Sequence, residues 1–123
     1  MIQIDYRSQK AIYEQVRDEL KKLIMRGVLR RDEKIPSVRE IAGSLAINPN
    51  TVQRALADLE RDGLVFSQRT AGRFVTGDVS MIENAKLRLA DQCVENFLSE
   101  MAKLGCGRDE VIALLQDRKE EEP

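Results

Sequence analysis

Apolar side chains recur with a helical period in the first sixty residues, in three separate stripes. Ile12, Val16, Leu20, Leu23 and Ile24 form the first, within residues 11–26, and Gly27 follows where a left-handed cap would sit. Val38, Ile41, Ala42 and Leu45 form a shorter one behind Ser37-Val38-Arg39-Glu40. That tetrad is a capping box: the serine hydroxyl accepts from the amide three residues on, and the glutamate reaches back. Val52, Ala55, Leu56 and Leu59 form the third. It opens at Asn48-Pro49, an N-cap side chain followed by a proline at the first helical position, and closes at Asp62-Gly63. The period then changes. Leu64–Ser67 and Arg73–Thr76 read as two short strands around a polar connection containing Gly72. Two helices joined by a tight turn, with one helix before and a hairpin after, predict a winged helix-turn-helix.

Beyond Gly77 the pattern becomes that of one long helix. Residues 81–104 place Ile82, Ala85, Leu89, Cys93, Phe97 and Met101 on one stripe, with Ala90, Val94, Leu98 and Ala102 beside it. Gly105-Cys106-Gly107 interrupts it, and Val111, Ile112, Leu114 and Leu115 predict a second short helix before the charged tail Lys119–Glu122. Two helices cannot cover so wide an apolar face, so it is expected to pack against a second copy of the chain, with Leu89, Cys93, Val94, Phe97, Leu98 and Met101 at the dimer interface. The expected fold class is mainly α with a small β-hairpin. A winged helix-turn-helix domain spans 1–78 and a two-helix dimerisation segment spans 79–123.

Composition narrows the chemistry. The 123 residues include no histidine, which removes serine-type triads, Cys-His dyads and histidine-containing zinc sites. Two cysteines are too few for a disulfide framework or a four-thiolate metal site, and the start Met1–Asp5 lacks a signal-peptide layout, so a reducing cytoplasm is expected. Cys93 reads as a small buried hydrophobe and Cys106, between glycines, as an exposed thiol. No apolar run approaches the roughly 20 residues of a membrane span. Neither a metal site nor a cofactor-binding loop is discernible, and no catalytic constellation. The net charge of −1 hides an asymmetry: 14 basic against 11 acidic residues through Asp78, then 6 against 10. A basic front half and an acidic back half suit a chain whose first part meets nucleic acid.

Candidate chemistry lies on the third helix. Opposite its apolar face stand Asn50, Gln53, Arg54 and, further on, Arg61. Asparagine and glutamine pair bidentately with adenine, and arginine with guanine, in the major groove. A solvated polar face is the ordinary alternative, and the tight turn before this helix and the wing after it weigh against it. Ser37 and Thr51 sit near helix N-termini, where hydroxyls and free amides suit phosphate oxygens. Arg39 is aimed toward the same groove or is a surface charge. Arg69 and Arg73 flank the wing turn, and Gly72 permits close approach to a groove, while an exposed basic hairpin is the plain alternative. The rivals to a DNA-binding regulator are a winged-helix protein-protein interaction module and a thiol-based sensor or enzyme built on Cys106.

Several of these segments occur in one order that resembles a known family. Ile12-Tyr13-Glu14-Gln15-Val16, Ile35-Pro36-Ser37-Val38-Arg39-Glu40-Ile41-Ala42, Ile47-Asn48-Pro49-Asn50-Thr51-Val52-Gln53-Arg54-Ala55, Leu59-Glu60-Arg61-Asp62-Gly63-Leu64 and Gly72-Arg73-Phe74-Val75 together resemble the GntR family of bacterial transcription regulators. The P-S-V-R-E and N-P-N-T-V stretches, with a short two-helix C-terminal part, are similar to its YtrA subfamily. The resemblance implies a homodimeric, non-enzymatic, operator-binding repressor of double-stranded DNA without a large effector domain. Carried over by motif, it places DNA contacts on Arg39, on Asn48, Asn50, Thr51, Gln53 and Arg54, and on Arg69, Gly72 and Arg73. The chain departs from the pattern at Thr70, where the wing often has its first glycine, at Ala46, a frequent turn glycine, at Ala11, a frequent proline, and at Gly107, a usual Ser or Thr cap.

Overall fold

The computed structural model describes residues 2–118. Its elements, in order, are α1 (Ile12–Met25), α2 (Val38–Leu45), α3 (Pro49–Arg61), β1 (Val65–Gln68), β2 (Gly72–Val75), α4 (Val79–Lys103) and α5 (Arg108–Asp117). This is the mainly helical chain with one hairpin that the periodicities predict. It divides into two compact units, Met1–Asn84 and Ala85–Pro123, with the division inside α4.

Local chemistry accounts for the helix boundaries of the first unit. At the start of α2, Ser37 Oγ accepts the Glu40 N–H at 3.1 Å while Glu40 Oε1 accepts the Ser37 N–H at 3.2 Å, so both arms of the capping box are made. Before α3, Asn48 Oδ1 accepts the Asn50 N–H at 2.8 Å and Pro49 occupies the first turn. The turn between these helices closes through Ala46, which adopts the left-handed conformation at φ 56°, ψ 46°. Such a residue costs about 1–2 kcal/mol when it is not glycine. A tight two-helix turn is therefore achieved with an alanine under strain.

The core fills the space among α1, α2, α3 and the hairpin. Val16, Leu20, Ile24, Ile35, Ile41, Ala42, Val52, Ala55, Leu56, Leu59, Leu64, Val65 and Val75 are buried, and Ile82 of α4 joins them. Each fully buried Val, Leu or Ile contributes about 1.5–3 kcal/mol of apolar burial. Leu23, on the expected stripe of α1, is only half-buried. Helices α1 and α3 lie side by side in the same direction. Tyr13 meets Arg54, Arg17 meets Asp58 and Lys21 meets Asp62, three contacts that share one sequence offset of 41.

Both strands are displaced by one residue from expectation. Leu64 donates its N–H to Leu59 O at 3.0 Å and so completes the end of α3, which delays β1 to Val65. The antiparallel register pairs Val65 with Val75 and Gln68 with Gly72. A third segment, absent from the sequence-based expectation, adds to the hairpin edge. Lys34 bridges to Phe74, the Ile35 N–H donates to Arg73 O at 2.8 Å, and the Val75 N–H donates to Glu33 O at 2.9 Å.

Helix α4 begins two residues earlier than the expected span 81–104, because Asp78 Oδ1 accepts the Met81 N–H at 3.2 Å and acts as an N-cap. In the second unit Ala85 and Val111 are buried. The rest of the expected stripe is open in the single chain: Phe97 is 44% and Val94 53% exposed, Cys93 is exposed, and Leu89, Leu98 and Met101 are half-buried. Among the described residues Cys93 thus lacks the cover expected for it. Cys106 is half-buried where an exposed thiol was expected, because its N–H folds back to Met101 O at 3.0 Å. Helix α5 starts at Arg108 behind Gly107, which offers no side-chain cap. The charged tail Lys119–Glu122 lies outside the described residues.

Candidate nucleic-acid interface

Helix α3 is held to the core by one face only. Val52, Ala55, Leu56 and Leu59 point inward, while Asn50, Gln53 and Arg54 are exposed and Thr51 is half-buried. Their spacing on one helix places them on a single outward surface near its N-terminal half. Arg61, at the other end, is bound to Asp58 at 2.8 Å. The α3 residues singled out from the sequence are thereby divided into an N-terminal group on the outward surface and a C-terminal arginine ion-paired within the helix.

Two flanks frame this surface. On the α1 side, the Arg54 guanidinium lies over the Tyr13 ring, 3.7 Å from its centroid. Ile12, Tyr13, Asn50, Thr51 and Arg54 line a cleft of about 310 Å³ there. A stacked guanidinium keeps its edge N–H donors available for a second partner. On the wing side, Arg73 Nε donates to Glu60 Oε1 at 3.3 Å and Arg73 Nη1 donates to Gln53 Oε1 at 3.4 Å. The same Glu60 oxygen accepts the Ser67 hydroxyl at 2.7 Å. Glu60 therefore ties α3 to both strands of the hairpin.

The remaining residues singled out from the sequence are distributed around this frame. Arg39 and Arg69 are exposed and, among the described residues, have no ion-pair partner. Ser37 and Asn48 are exposed but have one acceptor each engaged in capping α2 and α3. The wing turn holds Thr70 at φ 66° and Gly72 at φ 103°. The backbone angle favours glycine at Gly72, where a Cβ would also meet the flexible end of Lys34, 3.1 Å from Cε. Arg73 departs most from the simple picture of a basic wing: its side chain is 21% exposed and turned onto α3.

Ion pairs brace the base of the interface. Arg17 pairs with Asp18 at 2.9 Å and with Asp58 at 3.3 Å, and Lys10 also pairs with Asp18. The hydrogen bond to Asp18 raises the Arg17 guanidinium above its ordinary value against the opposing effect of partial burial. Burial pushes the Asp18 carboxyl up, but the hydrogen bonds and charges of Lys10 and Arg17 together outweigh it, leaving the group below the ordinary carboxylate value. No helix among the described residues is long and apolar enough to cross a membrane. Among them, too, no group of three or more His, Cys, Asp or Glu could hold a metal ion.

The three missed features, the bridge of Lys34, the Glu60 hub and the Tyr13 platform, are contacts between segments. Only Tyr13 carried a sequence signal, as an aromatic residue on the polar flank of the first stripe.

Comparison with known proteins places this geometry. Residues 12–75 match the family model for bacterial regulatory proteins of the gntR family. The HTH-type transcriptional repressor YtrA of Bacillus subtilis is 42% identical over 91 residues, 74% of this chain and 65% of that protein. The fold is similar to that of a GntR family transcriptional regulator from Listeria monocytogenes, with a TM-score of 0.84, 37% identity, and coverage of 91% of this chain and 98% of the other. A crystal structure of the AraR DNA-binding domain in complex with operator ORX1 superposes with a TM-score of 0.54 at 26% identity, covering 61% of this chain and 96% of that domain.

Proposed function

The chain belongs to the GntR family of bacterial regulatory proteins, in its YtrA-type branch, and is a DNA-binding transcriptional regulator; from that premise we propose that it is a cytoplasmic repressor that occupies an inverted-repeat operator as a homodimer. The observation that carries the reading is the outward surface of α3, where Asn50, Gln53 and Arg54 project from a helix whose inner face alone is in the core. In the proposed complex this surface lies in the major groove and these three side chains reach base edges. Thr51, Ser37, Asn48 and Arg39 lie toward the flanking phosphates, and Arg69 and Gly72 at the wing tip meet the neighbouring backbone or minor groove. Residues 1–78 act as the DNA-binding part and 79–123 as the dimerisation part. Leu89, Cys93, Val94, Phe97, Leu98 and Met101 form the two-fold seam, which covers the apolar surface that a single chain leaves open. Repression follows from occupation of promoter DNA, a reading that the repressor YtrA supports by similarity.

Phe97→Asp tests the assembly. A charge at the seam costs several kcal/mol unless it is paired, so the variant should sediment as a monomer whose winged part still folds. Loss of the second DNA-binding part removes the gain from linked half-sites, so operator affinity should fall by about 100-fold or more while weak binding to any duplex persists. A dimeric variant with undiminished operator affinity contradicts the proposed seam. Wild-type protein without salt-dependent duplex binding would turn the reading toward a protein-protein adaptor.

A further inference from the structure

Arg73 stands in the wing, yet its side chain does not face outward. Its guanidinium spans two turns of α3, from Glu60 to Gln53, residues that share one helix face at a spacing of seven. Glu60 is itself fixed by the Ser67 hydroxyl at 2.7 Å, so the anchor is held from both α3 and β1. Arg69, by contrast, sits exposed at the wing tip with no side-chain partner among the described residues. One wing arginine is free to meet phosphate and the other is committed to the recognition helix.

The commitment has a chemical consequence. A guanidinium only donates hydrogen bonds, so the Gln53 carboxamide must turn its oxygen toward Arg73 and leave its NH2 directed away. A bidentate contact with adenine needs that oxygen to accept from the base N6 while the NH2 donates to N7. Here Arg73 occupies one of that oxygen's two lone pairs and holds it against the wing, which leaves the NH2 as the group turned toward a base. Guanine offers two acceptors, N7 and O6, to that NH2, whereas adenine offers N7 alone beside the N6–H2 donor.

We infer that Arg73 is a specificity-determining positioning residue: anchored on Glu60, it orients Gln53 so that α3 reads the two-acceptor edge of guanine rather than adenine. The inference rests on the proposed placement of α3 in the major groove. Arg73 then acts through Gln53, and its positive charge is offset by Glu60 instead of by a DNA phosphate.

The test is a competition binding experiment on full-length protein with a panel of duplexes varied at each operator position, combined with the salt dependence of binding. Gln53→Ala identifies the base pair that Gln53 reads by abolishing preference there. Arg73→Lys keeps the charge but replaces the planar fork with a single ammonium that cannot span Glu60 and Gln53. It should lower the preference for guanine over adenine at that same base pair by roughly fivefold or more, with the log-log salt slope unchanged. Glu60→Ala, which removes the anchor, should affect the same position and serves should Arg73→Lys not fold. Arg69→Ala should lower the slope by about one unit with every base preference intact. Retention of the wild-type preference at the Gln53 position in both Arg73→Lys and Glu60→Ala overturns the inference. Gln53→Ala with no base preference altered would instead overturn the placement of α3 on which it rests.

Discussion

Thr70 offers a sharp energetic test of the wing, because a β-branched residue there adopts a backbone conformation suited to glycine. Its φ of 66° is in the left-handed region. That region costs an L-residue about 1–2 kcal/mol, and β-branching makes Thr70 a stronger outlier still. Replacing it with glycine removes this strain but enlarges the conformational freedom of the unfolded chain, an opposing effect of about 0.4–1 kcal/mol. Among the described residues the Thr70 hydroxyl bonds only to the carbonyl of the adjacent Arg69 on an exposed turn, so little else is lost. The net expectation for Thr70→Gly is a stabilisation of about 1 kcal/mol, or a rise in melting temperature of about 4–8 °C for a unit of this size. Thermal unfolding followed by circular dichroism measures it. Ala71→Gly serves as the control: the neighbouring residue is not among those with positive φ, so the substitution should lower the melting temperature. A fall in melting temperature for Thr70→Gly, with Ala71→Gly falling equally, would refute the assignment of strain to this turn.

Other expectations follow from the same geometry. Tyr13→Leu removes the platform under Arg54 and should weaken operator binding about two- to fivefold, in keeping with about 0.5–1 kcal/mol for an exposed cation–π contact; Tyr13→Phe should bind as wild type, and titration by fluorescence anisotropy distinguishes the two. Asp18, with a carboxyl held below the ordinary carboxylate value, stabilises the fold at pH above the unfolded value and loses that contribution as pH falls through its lower folded value. Denaturant unfolding of Asp18→Asn should therefore show lower stability at neutral pH and a flatter decline at acidic pH than wild type; parallel curves would contradict the depressed value.

Much of the first unit is legible in the sequence because its signals are local. Ser37 with Glu40, and Asn48 with Pro49, announce helix starts through side-chain to backbone bonds made within three residues. The inward face of α3 follows from spacing alone. The hairpin's third segment was not legible, since Asp32-Glu33-Lys34-Ile35 contributes a single buried side chain and no alternation. Helix α4 began earlier than expected because Asp78, not an apolar residue, sets its start. The candidate interface divides in the same way. Which α3 residues face outward could be read from period, but the partner of Arg73 lies 13 and 20 residues away, and no local pattern encodes where a long flexible side chain will settle. The open face of α4 is a further case: its stripe is plain in the sequence, and Val94 and Phe97 on it are exposed among the described residues.

The central claim, a two-fold dimer that reads DNA through α3, is tested most directly by selecting the preferred sites of wild-type protein from a pool of random duplexes. The account predicts enrichment of an inverted repeat whose half-sites lie about one helical turn or a multiple apart, bound by two chains per duplex, with the repeat lost for Phe97→Asp. Enrichment of a single unrepeated site by one chain, or of no sequence at all, would contradict it.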